Sequence, residues 1–104
     1  MNLEEEISKT GTTIVKYHAK WCGPCKQMNP IITKLVEDTK GTDSEITVVS
    51  VDIDAEPELT KTANIASVPT LAFYTDGVYM GKAVGAMNLP MIMNAINGKT
   101  PLTK

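Results

Sequence analysis

No apolar run in the 104-residue sequence exceeds a few residues, whereas a helix that crosses a bilayer needs about 20 in succession. The chain opens on Asn2, Glu4, Glu5 and Glu6 instead of a basic segment followed by an apolar one, so no secretory leader and no membrane span are expected. An excess of one charge is missing too. Ten basic side chains against twelve carboxylates give a formal net charge of −2, with an isoelectric point near 5.3. The lysines are spread along the chain, which leaves no basic stripe for a phosphate backbone and argues against nucleic acid as a partner. Repeats, low-complexity tracts and linker-like runs of Pro, Gly and Ser are absent, so residues 1–104 read as one domain. A chain of this length buries roughly two-thirds of its unfolded surface on folding, enough for one core without metal or disulfide staples.

Within that domain the pattern alternates between strand and helix. Leu3 to Lys9 forms a short acidic helix closing near Gly11, where a left-handed residue can end the last turn. Thr12 to Ala19 is β-branched and aromatic, with Thr13, Val15, Tyr17 and Ala19 on one face and Ile14, Lys16 and His18 on the other. Met28, Ile31, Ile32, Leu35 and Val36 recur at the spacing of one helical face, which predicts a helix from about Gly23 to Thr39, kinked at Pro30. Ile46 to Ile53 is almost continuously apolar, the pattern of a parallel strand covered on both faces. Strand, helix and strand make a right-handed βαβ unit. Glu58 to Ala63 predicts a short helix after Pro57, capped from about Asp54. Thr70 to Thr75 and Val78 to Val84 flank Asp76-Gly77, the dipeptide of a tight hairpin turn. Asn88 then caps a last helix with Pro90 in its first turn, with Leu89, Ile92, Met93 and Ile96 on one face, ending near Gly98. The expected architecture is α/β, a mixed sheet between helices.

Only two cysteines are present, and they stand three residues apart as Cys22-Gly23-Pro24-Cys25 where a strand hands over to a helix. A thiolate is the reactive form of cysteine, and the positive end of a helix dipole stabilises it, so Cys22 is expected to be the more acidic and more exposed sulfur. Cys25, inside the first turn, is held where it can attack a mixed disulfide and resolve it. Pro24 fixes the first turn and Gly23 lets a partner backbone approach. A structural staple is a poor alternative, because closing a loop this small contributes about 2 kcal/mol in the chain-entropy model, against about 3 kcal/mol for a fifteen-residue loop. Zinc requires about four ligands; two thiols and the single histidine, His18, do not supply them. Met80, Met87, Met91 and Met93 read as core filling.

These residues resemble the thioredoxin family. Trp21-Cys22-Gly23-Pro24-Cys25-Lys26 matches its active-site hexapeptide, joined by Pro30, Val68-Pro69-Thr70, Asp76-Gly77 and Val84-Gly85 along nearly the whole chain. The resemblance implies a thioredoxin fold, a cis peptide at Pro69 facing the dithiol, and a substrate-binding patch of Trp21, Gly23, Pro24, Val68, Pro69, Gly85 and Ala86. It implies a cytoplasmic, monomeric protein-disulfide reductase without a bound cofactor. Its partners would be oxidised proteins and a thioredoxin reductase that draws electrons from NADPH. Glutaredoxin-like, glutathione-coupled exchange and a non-catalytic binding subunit of the same fold are the alternatives.

Two departures from the family stand out. Only 21 residues precede Cys22, so the family's first strand has no counterpart and four strands are expected. The aspartate usually found beneath the dithiol is replaced by Lys16, and a nearby lysine by Ser50. Lys16 or His18 could then supply a base, since burial lowers the pKa of either. A charged Lys16 could instead favour the thiolate and weaken the protein as a reductant. A third option is that Lys16 snorkels to solvent and His18 is an ordinary imidazole.

Overall fold

The computed structural model describes residues 2–104. Its elements are α1 (Leu3–Ile7), β1 (Thr12–His18), α2 (Gly23–Thr39), β2 (Ile46–Asp52), α3 (Pro57–Thr62), β3 (Thr70–Thr75), β4 (Val78–Val84) and α4 (Leu89–Ile96). The four strands lie in the order β2-β1-β3-β4. β1 and β2 run parallel from Thr12 opposite Ile46 to His18 opposite Asp52. β1 pairs antiparallel with β3, and β3 with β4. The sheet is therefore mixed, as expected.

Side-chain alternation along the central strand divides the core into two layers. Ile14 packs with Met28, Ile32 and Leu35 of α2, Leu71 and Phe73 of β3, and Ile92 and Ala95 of α4. On the other face Val15, Tyr17, Val51 and Ala72 meet Leu3 and Ile7 of α1, with Ala63 and Ile65 beyond α3. Because both faces of β1 are covered, residues 13 to 17 are all buried, and that run includes Lys16.

Several local expectations need correction. β2 is an edge strand, and only Ile46 and Val51 in it are fully buried. Its apolar β-branched run fits a pleated surface without specifying neighbours on both sides. α1 stops at Ile7, where the Ser8 N–H and hydroxyl both bond to the Glu4 carbonyl. Gly11, at φ +84°, turns the chain into β1 instead of ending the helix, and its N–H bonds to Asp76 Oδ1 at 2.6 Å. α3 begins at Pro57 with Glu56 at its N-cap, so Asp54 is not its cap. Of the four late methionines, Met87 is buried and Met93 packs against the core, while Met80 and Met91 are exposed. α2 runs from Gly23 to Thr39 with Pro30 inside it and no interruption. At the hairpin, Asp76 (φ 50°) and Gly77 (φ 83°) take the two left-handed conformations that a type I′ turn demands.

Candidate functional site

The C-terminal end of β1 delivers the chain to the site. A turn in which the Cys22 N–H donates to the Ala19 carbonyl at 3.1 Å swings residue 22 onto the α2 N-terminus. Cys22 is the N-cap: its Sγ accepts from the Cys25 N–H at 3.1 Å, and Pro24 occupies the first turn, where its missing N–H leaves no bond unmade. No acidic side chain lies in that turn to compete for the positive end of the helix dipole. The two cysteines are joined as a disulfide across a Cα–Cα distance of 5.3 Å. In this state both are buried, Cys22 at 5% exposure and Cys25 at 2%. Cys22 is thus the more exposed residue of the pair by a small margin.

Around the pair the expected patch assembles in part. Val68 packs with Ile53 against Ala19, Cys22 and Cys25. The Val68–Pro69 peptide is cis, and the Pro69 carbonyl accepts from the Gly85 N–H at 2.9 Å, which joins the segment before β3 to the residue after β4. Gly23, Pro24 and Ala86 are exposed, and Gly85 is half-buried at φ +102°. Trp21 is 69% exposed, more than any other large apolar side chain among the described residues. Its indole N–H donates to Asp54 Oδ2 at 2.9 Å, and the Asp54 N–H in turn donates to Asp52 Oδ1 at 2.9 Å. Sequence reasoning missed this brace. The turn in which Asp52 Oδ1 accepts from the Asp54 N–H is a local signal, but its proximity to Trp21 follows from the parallel pairing of β1 and β2.

Beside Cys25 lies a solvent-open cleft of about 280 Å³ whose lining includes Cys25, Lys16, His18, Asn29 and Ser50. Lys16 is only 5% exposed, so it does not snorkel to solvent. Its Nζ donates to Asn29 Oδ1, and Asn29 stands one helical turn beyond Cys25 on the same side of α2. Burial holds the Lys16 ammonium below its ordinary pKa of 10.5. Burial also lowers His18 below 6.5, the positive charge of Lys16 lowers it further, and Asp52 opposes both. Asn29 was not singled out in the sequence; the signal is its i+4 spacing from Cys25 on a helix facing β1. Among the described residues no group of three or more His, Cys, Asp or Glu is placed to hold a metal ion, and no helix is long and apolar enough to cross a membrane.

A helix N-terminus that presents a vicinal cysteine pair, beside a cis-proline segment, is an arrangement for thiol–disulfide exchange. The thioredoxin family model matches residues 1–98. The chain is 35% identical over 83 residues to the thioredoxin of Mycoplasmoides gallisepticum, covering 80% of this chain and 79% of that protein. Oxidised mitochondrial thioredoxin 3 from Saccharomyces cerevisiae superposes with a TM-score of 0.80 at 29% identity, covering 92% of this chain and 86% of the other. The bifunctional thioredoxin reductase/thioredoxin of Mycobacterium leprae is 25% identical over 95 residues, which span 91% of this chain and 20% of that protein. With the fold, the cysteine pair and these relatives in agreement, the chain belongs to the thioredoxin family of thiol–disulfide oxidoreductases.

Proposed function

We propose that residues 1–104 act as one monomeric domain that reduces protein disulfides, with Cys22 as attacking and Cys25 as resolving thiol. The observation that carries this reading is the Cys22 sulfur capping the α2 N-terminus. That position stabilises negative charge on Cys22 and leaves Cys25 within bonding distance of it. In the dithiol state the Cys22 thiolate attacks one sulfur of a substrate disulfide and expels the other as a thiolate. Cys25 then attacks Cys22, the mixed disulfide breaks, and the second substrate thiol leaves with the electron pair, so two electrons pass to the substrate.

Trp21, Gly23, Pro24, Val68, Pro69, Gly85 and Ala86 form the docking surface, a mostly apolar rim around a polar backbone edge. No bound cofactor enters the exchange. Regeneration falls to a thioredoxin reductase using NADPH, a pairing supported by the Mycobacterium leprae relative, whose name joins both activities in one chain. The proposed compartment is the cytoplasm, where thiols are kept reduced; the yeast neighbour is named as mitochondrial.

Trapping tests the assignment. Cys25→Ser should accumulate a mixed disulfide with a disulfide-containing protein, whereas Cys22→Ser should form none. Insulin reduction driven by NADPH and a thioredoxin reductase should exceed that driven by glutathione and its reductase; the reverse order supports glutathione-coupled exchange. A double serine variant that keeps the biological function marks a non-catalytic subunit.

A further inference from the structure

The cleft beside Cys25 contains a contradiction in charge. Lys16 is buried there with one neutral acceptor, the Asn29 side-chain oxygen. The groups facing it are His18 from β1, Lys20 beyond β1, Lys26 from α2 and Ser50 from β2. Asp52, opposite His18 in the sheet, acts on His18 and Lys20. No carboxylate lines the cleft. A buried ammonium without a counter-anion is unfavourable. One other group in the lining can become an anion there, and it is the thiolate of Cys25 once the disulfide is opened.

We infer that Lys16, held in place by Asn29, exchanges a proton with Cys25 across this cleft, so that opening and closing the disulfide is coupled to the charge of the lysine. The inference rests on the assignment of Cys25 as the resolving thiol. In the mixed-disulfide state the Cys25 thiol passes its proton to the unprotonated fraction of the Lys16 amine, a fraction that burial enlarges by lowering the pKa of the ammonium, through solvent in the cleft, which is large enough to hold water. The thiolate attacks Cys22, the Cys22–Cys25 bond forms, and the substrate sulfur departs with the bonding pair. The ammonium has then lost its counter-anion, and burial drives its proton out to the departing thiolate or to solvent. Reduction reverses the sequence: Lys16 takes up a proton as Cys25 becomes a thiolate, and returns it to give the thiol. Protons and electrons balance without any further reactant. Asn29 is a positioning residue, since its oxygen accepts from the amine and it stands one helical turn from Cys25 on α2.

Single-turnover reduction of a disulfide peptide, followed from pH 5.5 to 9, separates the attack of Cys22 from resolution by Cys25. Lys16→Met should slow resolution by about 100-fold at pH 7, the low end for positioned proton transfer. Its rate should then climb with pH toward the ordinary thiol pKa of about 8.5, with the first step much less affected. Lys16→Arg keeps the charge but cannot accept a proton, so it should remain slow at pH 7. Asn29→Leu should slow resolution by about tenfold and displace the same pH profile. A wild-type profile in Lys16→Met, or full recovery in Lys16→Arg, overturns the inference. Because variants can perturb packing, NMR of the wild-type Lys16 side chain provides a second reading. Its titration midpoint should lie higher in the dithiol protein than in the disulfide protein, and equal midpoints overturn the coupling. If Cys25→Ser fails to trap a mixed disulfide, the cysteine assignment itself falls. If it traps one and Lys16→Met resolves normally, only the proton route falls.

Discussion

Replacing Lys16 with methionine should make the oxidised protein more stable. The side chain is 5% exposed in the centre of the sheet, and its one bond is to Asn29. Losing a hydrogen bond from a charged group costs about 1.5 to 3 kcal/mol, whereas holding an ion in a protein interior costs several. Methionine keeps most of the stem and removes the charge. Asn29, exposed on α2, can bond to water instead. The balance is a gain of about 2 kcal/mol at pH 7, within the range seen when buried ionic groups are replaced by apolar ones. For a chain of this size that raises Tm by about 8 to 16 °C.

The pH dependence has a definite sign. Burial lowers the folded-state pKa of Lys16 below 10.5, so between the lowered value and 10.5 the unfolded chain binds the extra proton and wild-type stability rises with pH. Below that window the full penalty applies. Lys16→Met has no such term, so its advantage should be largest below the lowered pKa and shrink as pH rises from there toward 10.5. Urea unfolding of the disulfide form at pH 7 and pH 10, with the slope m checked for constancy, measures this directly. A variant no more stable than wild type at pH 7, or an advantage that does not shrink at pH 10, would refute the reasoning.

Asp54→Ala removes the acceptor of the Trp21 indole; stability should change by less than about 1 kcal/mol because the bond is exposed, while KM for protein substrates rises and the reactivity of Cys22 toward a small alkylating agent stays unchanged. The Tyr17 hydroxyl is buried with no hydrogen-bond partner among the described residues, so Tyr17→Phe should leave stability unchanged or raise it by about 1 kcal/mol, read from the denaturation midpoint. Burial, and then the neighbouring Tyr74 and Tyr79, push that phenol up to about 12; stability should fall as pH rises from 10 through 12, and ultraviolet titration should show one tyrosine ionising last. A Cβ on Gly81, at φ +128°, would stand 2.6 Å from Leu102 Cβ, so Gly81→Ala should lower the melting temperature by several degrees and loosen the Lys82–Thr103 bridge, visible as lost amide protection at both residues.

Much of this fold is written in short-range signals. The bounds of α2 were readable because Pro24 marks its start and a 3.6-residue apolar period carries through Leu35. Asp76-Gly77 fixed the hairpin because two successive left-handed residues are demanded there. What escaped is relational. The β-branched run of β2 reports a preference for pleated surface but not its place at the sheet edge. Met80 and Met91 match their core neighbours in composition, and only the bend of β4 and the facing of α4 leave them outside. At the site, the cysteines and Val68-Pro69 were legible as motifs. Asp54 and Asn29 were not, because each acquires meaning from a partner on another element, Trp21 in one case and Lys16 in the other.

Lys16 is a position where local rules and the fold disagree. Its neighbours across the sheet are Ser50 and Leu71, and the positions two residues away on the same face are Ile14 and His18. Any aliphatic residue would serve the core better at this point. Sites where a sequence opposes its own fold are where function is expected to reside, because stability is surrendered there for something else. The two Lys16→Met experiments therefore bear on each other: the same substitution should strengthen the fold and slow the resolving step. A gain in stability with unchanged kinetics would leave the buried lysine as an unneeded burden. A loss of both would make it part of the core after all. Only the opposed pair of outcomes ties the burial of this amine to the chemistry of the sulfur beside it.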